Sequence, residues 1–258
     1  MDVQIFDSRE VAEASVADEI SRLVTEQART VLGLASGDSP TGVYRELLRR
    51  QREGALSLSG LRTFTLDEYL GPAADDPRSF RHFMRTRLLD PAGIPLEHAY
   101  VPGGWDQRHA IGAAELNQRC DEFERAILRE GGIDLQLLGI GRNGHIGFNE
   151  PGSSSTSRTR VVELHDATRQ DAERGNAGIS PVPTHAITMG VATILEARRI
   201  RVLAFGAAKR DVVARTMRRS PDPSWPASFL HQHRDARLIV DREAVADPVS
   251  AETQLAMT

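Results

Sequence analysis

The 258-residue sequence predicts a doubly wound α/β protein, with a mostly parallel sheet and helices on both faces. Three observations predict this. Short apolar runs alternate with longer stretches of helical periodicity. Several of the runs end in a glycine-bearing turn, where α/β sheets place their ligands. No internal repeat, low-complexity linker or compositional break divides the chain, which reads as one domain over 1–258.

The elements follow in order. Residues 8–28 carry apolar side chains at helical spacing, and 31–34 are a buried strand. A helix over 41–51 follows, with Ser39 as a good N-cap and Pro40 suited to the first helical position. A strand over 62–66 leads to helices over 79–89 and 110–129, the second strongly amphipathic. Then come a strand over 134–138, short strands over 161–164 and 186–189, and a helix over 191–196. A strand over 201–205, a helix over 208–218 and a strand over 237–240 complete the set. On this reading the sheet begins about thirty residues in. Residues 152–184 are polar and rich in Ser, Thr, Arg and Gly, which predicts a long insertion acting as a mobile lid. The last ten residues read as a loose tail.

Composition narrows the function. Apolar residues make up 40% and charged residues 26%, as in a globular protein that buries a core. A net charge of −4 gives no support to a nucleic-acid role. The one cysteine, Cys120, excludes an internal disulfide, fits a reducing compartment, and reads as a packed, inert thiol in a helix. There is no basic segment followed by an apolar one at the start, and no apolar run near the roughly 20 residues of a membrane span. A cytoplasmic location with no membrane partner is expected. Of the 32 basic residues only Lys209 is a lysine, a compact ammonium among arginines.

Four constellations carry chemistry. The most informative is G-I-G-R-N-G-H-I-G-F-N-E-P-G, from Gly139 onward, directly after a strand. Its glycines let backbone approach a ligand closely. His145 and Glu150 are a natural proton-transfer pair near neutral pH, with Asn143 beside them. The embedded G-x-G-x-x-G does not open a helix, because Asn149-Glu150-Pro151 follows, so a dinucleotide site is not expected. The second constellation is Ser36-Gly37-Asp38-Ser39, between a strand and a helix start whose free N–H groups suit a phosphate. A carboxylate at Asp38 would repel that anion unless it points away. The third is Asp67-Glu68 after a strand, with Asp67 the better general base and Glu68 bracing it or forming an ion pair. The fourth is Gly206-Ala207-Ala208-Lys209, where an anion would meet an ammonium and a helix start together. Taken singly, these features also fit plain strand-to-helix turns, solvated loop acids, a structural histidine and a surface lysine.

From about residue 30 to about residue 240 the motifs run in the order of a known family. L-G-L-A-S-G-D-S-P-T-G, T-F-T-L-D-E-Y, G-R-N-G-H-I-G-F-N-E-P-G, S-R-T-R-V-V-E-L, V-P-T-H-A-I-T-M-G and F-G-A-A-K resemble glucosamine-6-phosphate deaminases. The related 6-phosphogluconolactonases share the G-x-G-x-x-G-H core but lack the N-E-P-G continuation. The resemblance implies a Rossmann-like fold and conversion of glucosamine 6-phosphate to fructose 6-phosphate and ammonia, with no redox cofactor and no catalytic metal. It implies that His145 opens the pyranose ring, assisted by Glu150 and Asn143, and that Asp67 moves the C2 proton to C1 before water hydrolyses the imine. It assigns the phosphate to Ser36, Gly37, Asp38, Ser39, Lys209 and Arg174. The sole partner implied is a small amino-sugar phosphate; members range from monomers to hexamers, so a homo-oligomer stays open.

The sequence departs from the family in places. Asp38 replaces a small residue, and Asn143 stands where some members have aspartate. The Ala172-Glu173-Arg174-Gly175-Asn176 stretch keeps the arginine of the lid and lacks its two aromatics. Val162 stands where allosterically activated members carry a basic residue. A deaminase for galactosamine 6-phosphate, a hydrolase for a phosphosugar lactone and a non-catalytic sugar-phosphate sensor remain alternatives.

Overall fold

A computed structural model describes residues 1–27, 29–104, 112–174, 181–218 and 220–245. The chain runs β1 (Asp2–Phe6), α1 (Arg9–Glu26), β2 (Val31–Leu34), α2 (Asp38–Arg52), β3 (Arg62–Thr65), β4 (Asp67–Tyr69), α3 (Phe80–Met84), α4 (Asp90–Ala92) and β5 (Ala99–Tyr100). It continues with α5 (Ala113–Arg129), β6 (Leu135–Gly139), β7 (Arg160–Glu163), α6 (Asp166–Arg174), β8 (His185–Thr188), α7 (Val191–Leu195), β9 (Ile200–Ala204), α8 (Arg210–Thr216) and β10 (Ala236–Asp241).

Seven strands form a parallel sheet in the order β1-β10-β9-β6-β2-β3-β5. Its central strands β2, β6 and β9 are mostly apolar because both faces are covered, with Gln136 and Arg201 as buried exceptions. Along β2, Leu32 and Leu34 face α1 and α2, while Val31 faces the layer that holds α5 and α8. The same alternation sends Leu135 and Leu137 of β6 to the first layer and Leu138 to the second. This is the Rossmann-like, doubly wound arrangement. Among the described residues no helix is long and apolar enough to cross a membrane.

Several expectations are corrected. The sheet begins at Asp2: β1 pairs with β10 from Asp2↔Arg237 to Phe6↔Asp241. It is a half-exposed edge strand, so it carries no buried apolar run. The helix expected over 79–89 forms and runs on to Ala92, with a π-helical turn over Arg85–Leu89 between α3 and α4. The N-cap of α2 is Gly37, so Ser39 and Pro40 lie inside the first turn. The helix expected over 208–218 is a 3₁₀ turn, Ala207–Lys209, followed by α8. The insertion expected over 152–184 contains β7 and α6, although 175–180 lie outside the described residues. So do 110 and 111 of the expected 110–129 helix, and the expected tail. Cys120 is buried in α5, and burial pushes its thiol up to about 11, as expected of an inert group.

A second, antiparallel sheet, β4-β8-β7, stands over the carboxyl ends of the first. Asp67 pairs with Thr188 and Glu68 with Ile187, which draws both acids into a strand rather than a solvated loop.

The topology locates the site. After β2 the chain moves to β3 on one side; after β6 it moves, by way of the small sheet, to β9 on the other. The switch point lies between β2 and β6, where open α/β sheets hold their ligands. The four neighbouring strands β3, β2, β6 and β9 deliver Asp67, Ser36, His145 and Lys209 from their carboxyl ends.

Candidate active site

A cleft of about 290 Å³ opens at this point, lined by Ser36, Ser39, Asp67, Arg142, His145 and Lys209 among others. Tyr69, Phe80 and Phe148 form an apolar wall on one side, with ring centroids 4.6 Å apart for Tyr69–Phe80 and 5.4 Å for Tyr69–Phe148. A larger hollow beside α5 and β5 is lined without a histidine among the described residues and holds no such constellation.

His145 sits in a loop that glycine makes possible. A Cβ on Gly141 would lie 2.1 Å from the imidazole Cε1, so only glycine leaves the ring its seat. Gly144, at φ 82°, passes under the Trp225 ring, where a Cβ would lie 2.3 Å from the indole. Asn149 pins the far end of the loop, donating to the carbonyls of Ile146 at 2.9 Å and Met189 at 2.8 Å. In the N-E-P triplet the asparagine is therefore structural and the glutamate electrostatic.

Glu150 is buried and sits behind the imidazole. It accepts hydrogen bonds from Asn143 Nδ2 at 2.7 Å and from the Thr168 hydroxyl at 2.5 Å. Its Oε2 is 3.6 Å from His145 Nδ1, beyond hydrogen-bond reach, so its effect on the ring is through charge. Burial pushes the Glu150 carboxyl up, but His145, Thr168 and Asn143 outweigh that and hold it at about 2. An ionised carboxylate only accepts, so the Asn143 amide must present its NH₂ to Glu150 and its oxygen to His145. That oxygen is 2.8 Å from Nδ1, which must then carry the proton. The other ring nitrogen, Nε2, keeps its lone pair.

Asp67 is 5% exposed at the start of β4. Burial, and then the neighbouring charge of Glu68, push its carboxyl up to about 8, against a weaker downward pull from the Ser36 hydroxyl 3.5 Å away. Glu68 turns the opposite way. Its carboxylate accepts from the backbone N–H of Tyr69, Phe80 and Arg81 and from the Ser79 hydroxyl, and lies 3.0 Å from Arg81 Nε, with both side chains fully buried. Glu68 thus forms the ion pair that was one of two roles expected of it, and it fastens the chain between β4 and α3.

Two glycine-bearing turns meet in the cleft. Ser36 and Ser39 come from the turn after β2, and Lys209 from the turn after β9. Gly37 takes φ 95° and leaves the first turn of α2 without a side-chain cap, so its N–H groups stay free for an anion. Lys209 Nζ donates to the Ile140 carbonyl at 2.6 Å; burial pushes the ammonium down and Asp171 pushes it up.

Three expected ligands do not line the cleft: Gly37, which serves as the N-cap of α2, Asp38 and Arg174. Asp38 is exposed and does not line the cleft; Arg9 holds its carboxylate at 2.7 Å and its carbonyl at 2.8 Å. The feared repulsion of a phosphate is thereby avoided. Arg174 is an exposed residue at the end of α6 and does not line the cleft. Besides apolar lining, a charged pair and a hydroxyl not singled out from the sequence line it: Arg142, Asp171 and Thr168. Arg142 lay inside the glycine-rich stretch as an apparent spacer, and Thr168 and Asp171 lay in the polar insertion.

Among the described residues no group of three or more His, Cys, Asp or Glu side chains is arranged to hold a metal.

The family described as glucosamine-6-phosphate isomerases/6-phosphogluconolactonase matches residues 7–240. A glucosamine-6-phosphate deaminase from a Geobacillus species is 42% identical over 230 residues, 89% of each chain. One from Rhodopirellula baltica is 41% identical over 246 residues, 95% of each chain. The solved structure of a monomeric glucosamine-6-phosphate deaminase superposes with a TM-score of 0.87 at 37% identity, covering 95% of this chain and 98% of the other. The 6-phosphogluconolactonase of Trypanosoma brucei, at 22% identity and a TM-score of 0.72, shares the fold. The chain belongs to the family of glucosamine-6-phosphate isomerases and 6-phosphogluconolactonases.

Proposed function

We propose that this protein converts glucosamine 6-phosphate and water to fructose 6-phosphate and ammonia. The observation that carries the reading is the pairing, in one cleft, of a buried aspartate of raised proton affinity with a histidine whose tautomer is set from behind. Relatives about 40% identical over most of the chain are glucosamine-6-phosphate deaminases, which supports the same substrate here.

The phosphate sits at Ser36, Ser39, Lys209 and the free N–H groups of α2. His145 Nε2 takes the C1 hydroxyl proton and returns it to the ring oxygen, which opens the pyranose. The carboxylate of Glu150 steadies the imidazolium formed in between, and Asn143 keeps the ring aligned. Asp67 then removes the C2 proton while the substrate's ammonium passes a proton to O1, which gives an enolamine, and the resulting carboxylic acid delivers its proton to C1. Water adds to the C2 imine and ammonia leaves.

Asp67 must be a carboxylate when it acts. The substrate's own C2 ammonium, brought beside it, favours that form. Burial raises its proton affinity in the empty site and the arriving cation lowers it again, which leaves Asp67 an ionised base near neutral pH.

An ammonia-release assay with glucosamine 6-phosphate and galactosamine 6-phosphate side by side tests the reading. Release from the gluco sugar is expected. Release from the galacto sugar alone would move the assignment to the C4 epimer. Binding of both without turnover would indicate a sensor.

A further inference from the structure

Arg142 and Asp171 meet across the mouth of the cleft. The guanidinium approaches both carboxylate oxygens, with Nε 2.7 Å from Oδ2 and Nη2 close to Oδ1. Arg142 comes from the catalytic loop after β6 and Asp171 from α6, and both line the cleft together with Lys209, Ser36 and Ser39. The side chains are 64% and 34% exposed. An ion pair so open to water is worth little and exchanges partners readily.

The charges at this end do not balance. Among the described residues, Arg142 and Lys209 are two cations served by one carboxylate, and Lys209 holds only the Ile140 carbonyl in hydrogen bonding. Asp171 satisfies the guanidinium fork but acts on Lys209 only at longer range. A phosphate has the acceptors to serve both, and its oxygens fit the same fork as a carboxylate. Asp171, left in place, would oppose a phosphate arriving at Lys209.

We propose that Arg142 is a further ligand of the substrate phosphate and that Asp171 occupies its guanidinium until the phosphate displaces it. The inference rests on the sugar-phosphate reading of this cleft. It makes Arg142 an affinity determinant and Asp171 a resident competitor, so removing the two charges has opposite effects.

Titration calorimetry with inorganic phosphate, on the wild-type chain, Asp171→Asn and Arg142→Gln, tests it. Asp171→Asn is expected to lower the phosphate Kd by about threefold and Arg142→Gln to raise it by about tenfold. The KM for glucosamine 6-phosphate should move in the same two directions. If the pair instead merely latches α6 over the cleft, both substitutions weaken phosphate together, and the proposal is wrong. It is equally wrong if neither moves the Kd, or if the wild-type chain binds no phosphate. Failure of the deaminase reading is distinct: the wild type would release no ammonia while the phosphate titrations still diverged.

Discussion

The amide oxygen of Asn143 lies 2.8 Å from His145 Nδ1, and this one contact decides which nitrogen of the neutral imidazole carries its proton. The chain of causes starts at Glu150, whose ionised carboxylate takes the Asn143 NH₂ and turns the amide oxygen toward the ring.

Asn143→Leu removes both ends of this relay and frees the tautomer. Loss of correctly poised acid–base catalysis should lower kcat/KM by about 100-fold. Asn143→Asp keeps an acceptor facing Nδ1 and should stay within about tenfold of the wild type. Steady-state assays of both variants check the contrast, and equal losses would contradict it.

Gly141→Ala should cost about as much as the loss of the relay, for a steric reason. The new Cβ would meet the imidazole at about 2 Å, while the backbone itself does not need a positive φ at this position. The expected result is kcat down by about 100-fold with an unchanged circular dichroism spectrum.

The acid limb of the pH profile should belong to Asp67. Its carboxyl is held up to about 8, so the free enzyme gains its base as pH rises through that value, and kcat/KM falls on the acid side. In kcat, the limb should move lower, because the bound ammonium favours the carboxylate. Coincident limbs in the two profiles would count against the proposed role.

The same shift makes Asp67 a cost to stability. The folded chain binds this proton more tightly than the unfolded chain, so its contribution to unfolding free energy declines as pH rises from about 4 to about 8. Asp67→Asn removes the buried charge and should stabilise the protein by ~1 kcal/mol or more above pH 8, and little near pH 4. Urea unfolding at the two pH values measures this.

The strands that carry the site were legible because they are buried on both faces, as β2 shows by its unbroken VLGL run and β9 by apolar side chains at every position but Arg201. β1, β4 and β5 were not. β1 is a half-exposed edge, β4 is the polar triplet Asp67-Glu68-Tyr69, and β5 has two residues. The catalytic candidates were legible because they follow strands directly or sit among glycines that a loop requires. What a side chain meets from a distant segment was not. Asp38 turns to Arg9 and Arg142 to Asp171, each 29 residues away in sequence. Nothing in the local pattern encodes either pairing.

Glu68→Gln should be strongly destabilising even though Glu68 does not line the cleft. It would leave the buried Arg81 guanidinium without its carboxylate, a change that costs about 3–5 kcal/mol in buried pairs. A lowered urea midpoint is the expected reading.

The central claim is that Asp67 carries the C2 proton in a deaminating isomerisation. Its most direct test is ammonia release from glucosamine 6-phosphate by the wild-type chain and by Asp67→Asn, with sugar-phosphate binding confirmed for both. Release by the wild type and a loss of at least about 1000-fold in the variant is the predicted result. Comparable release from the two proteins, or none from the wild type, would contradict it.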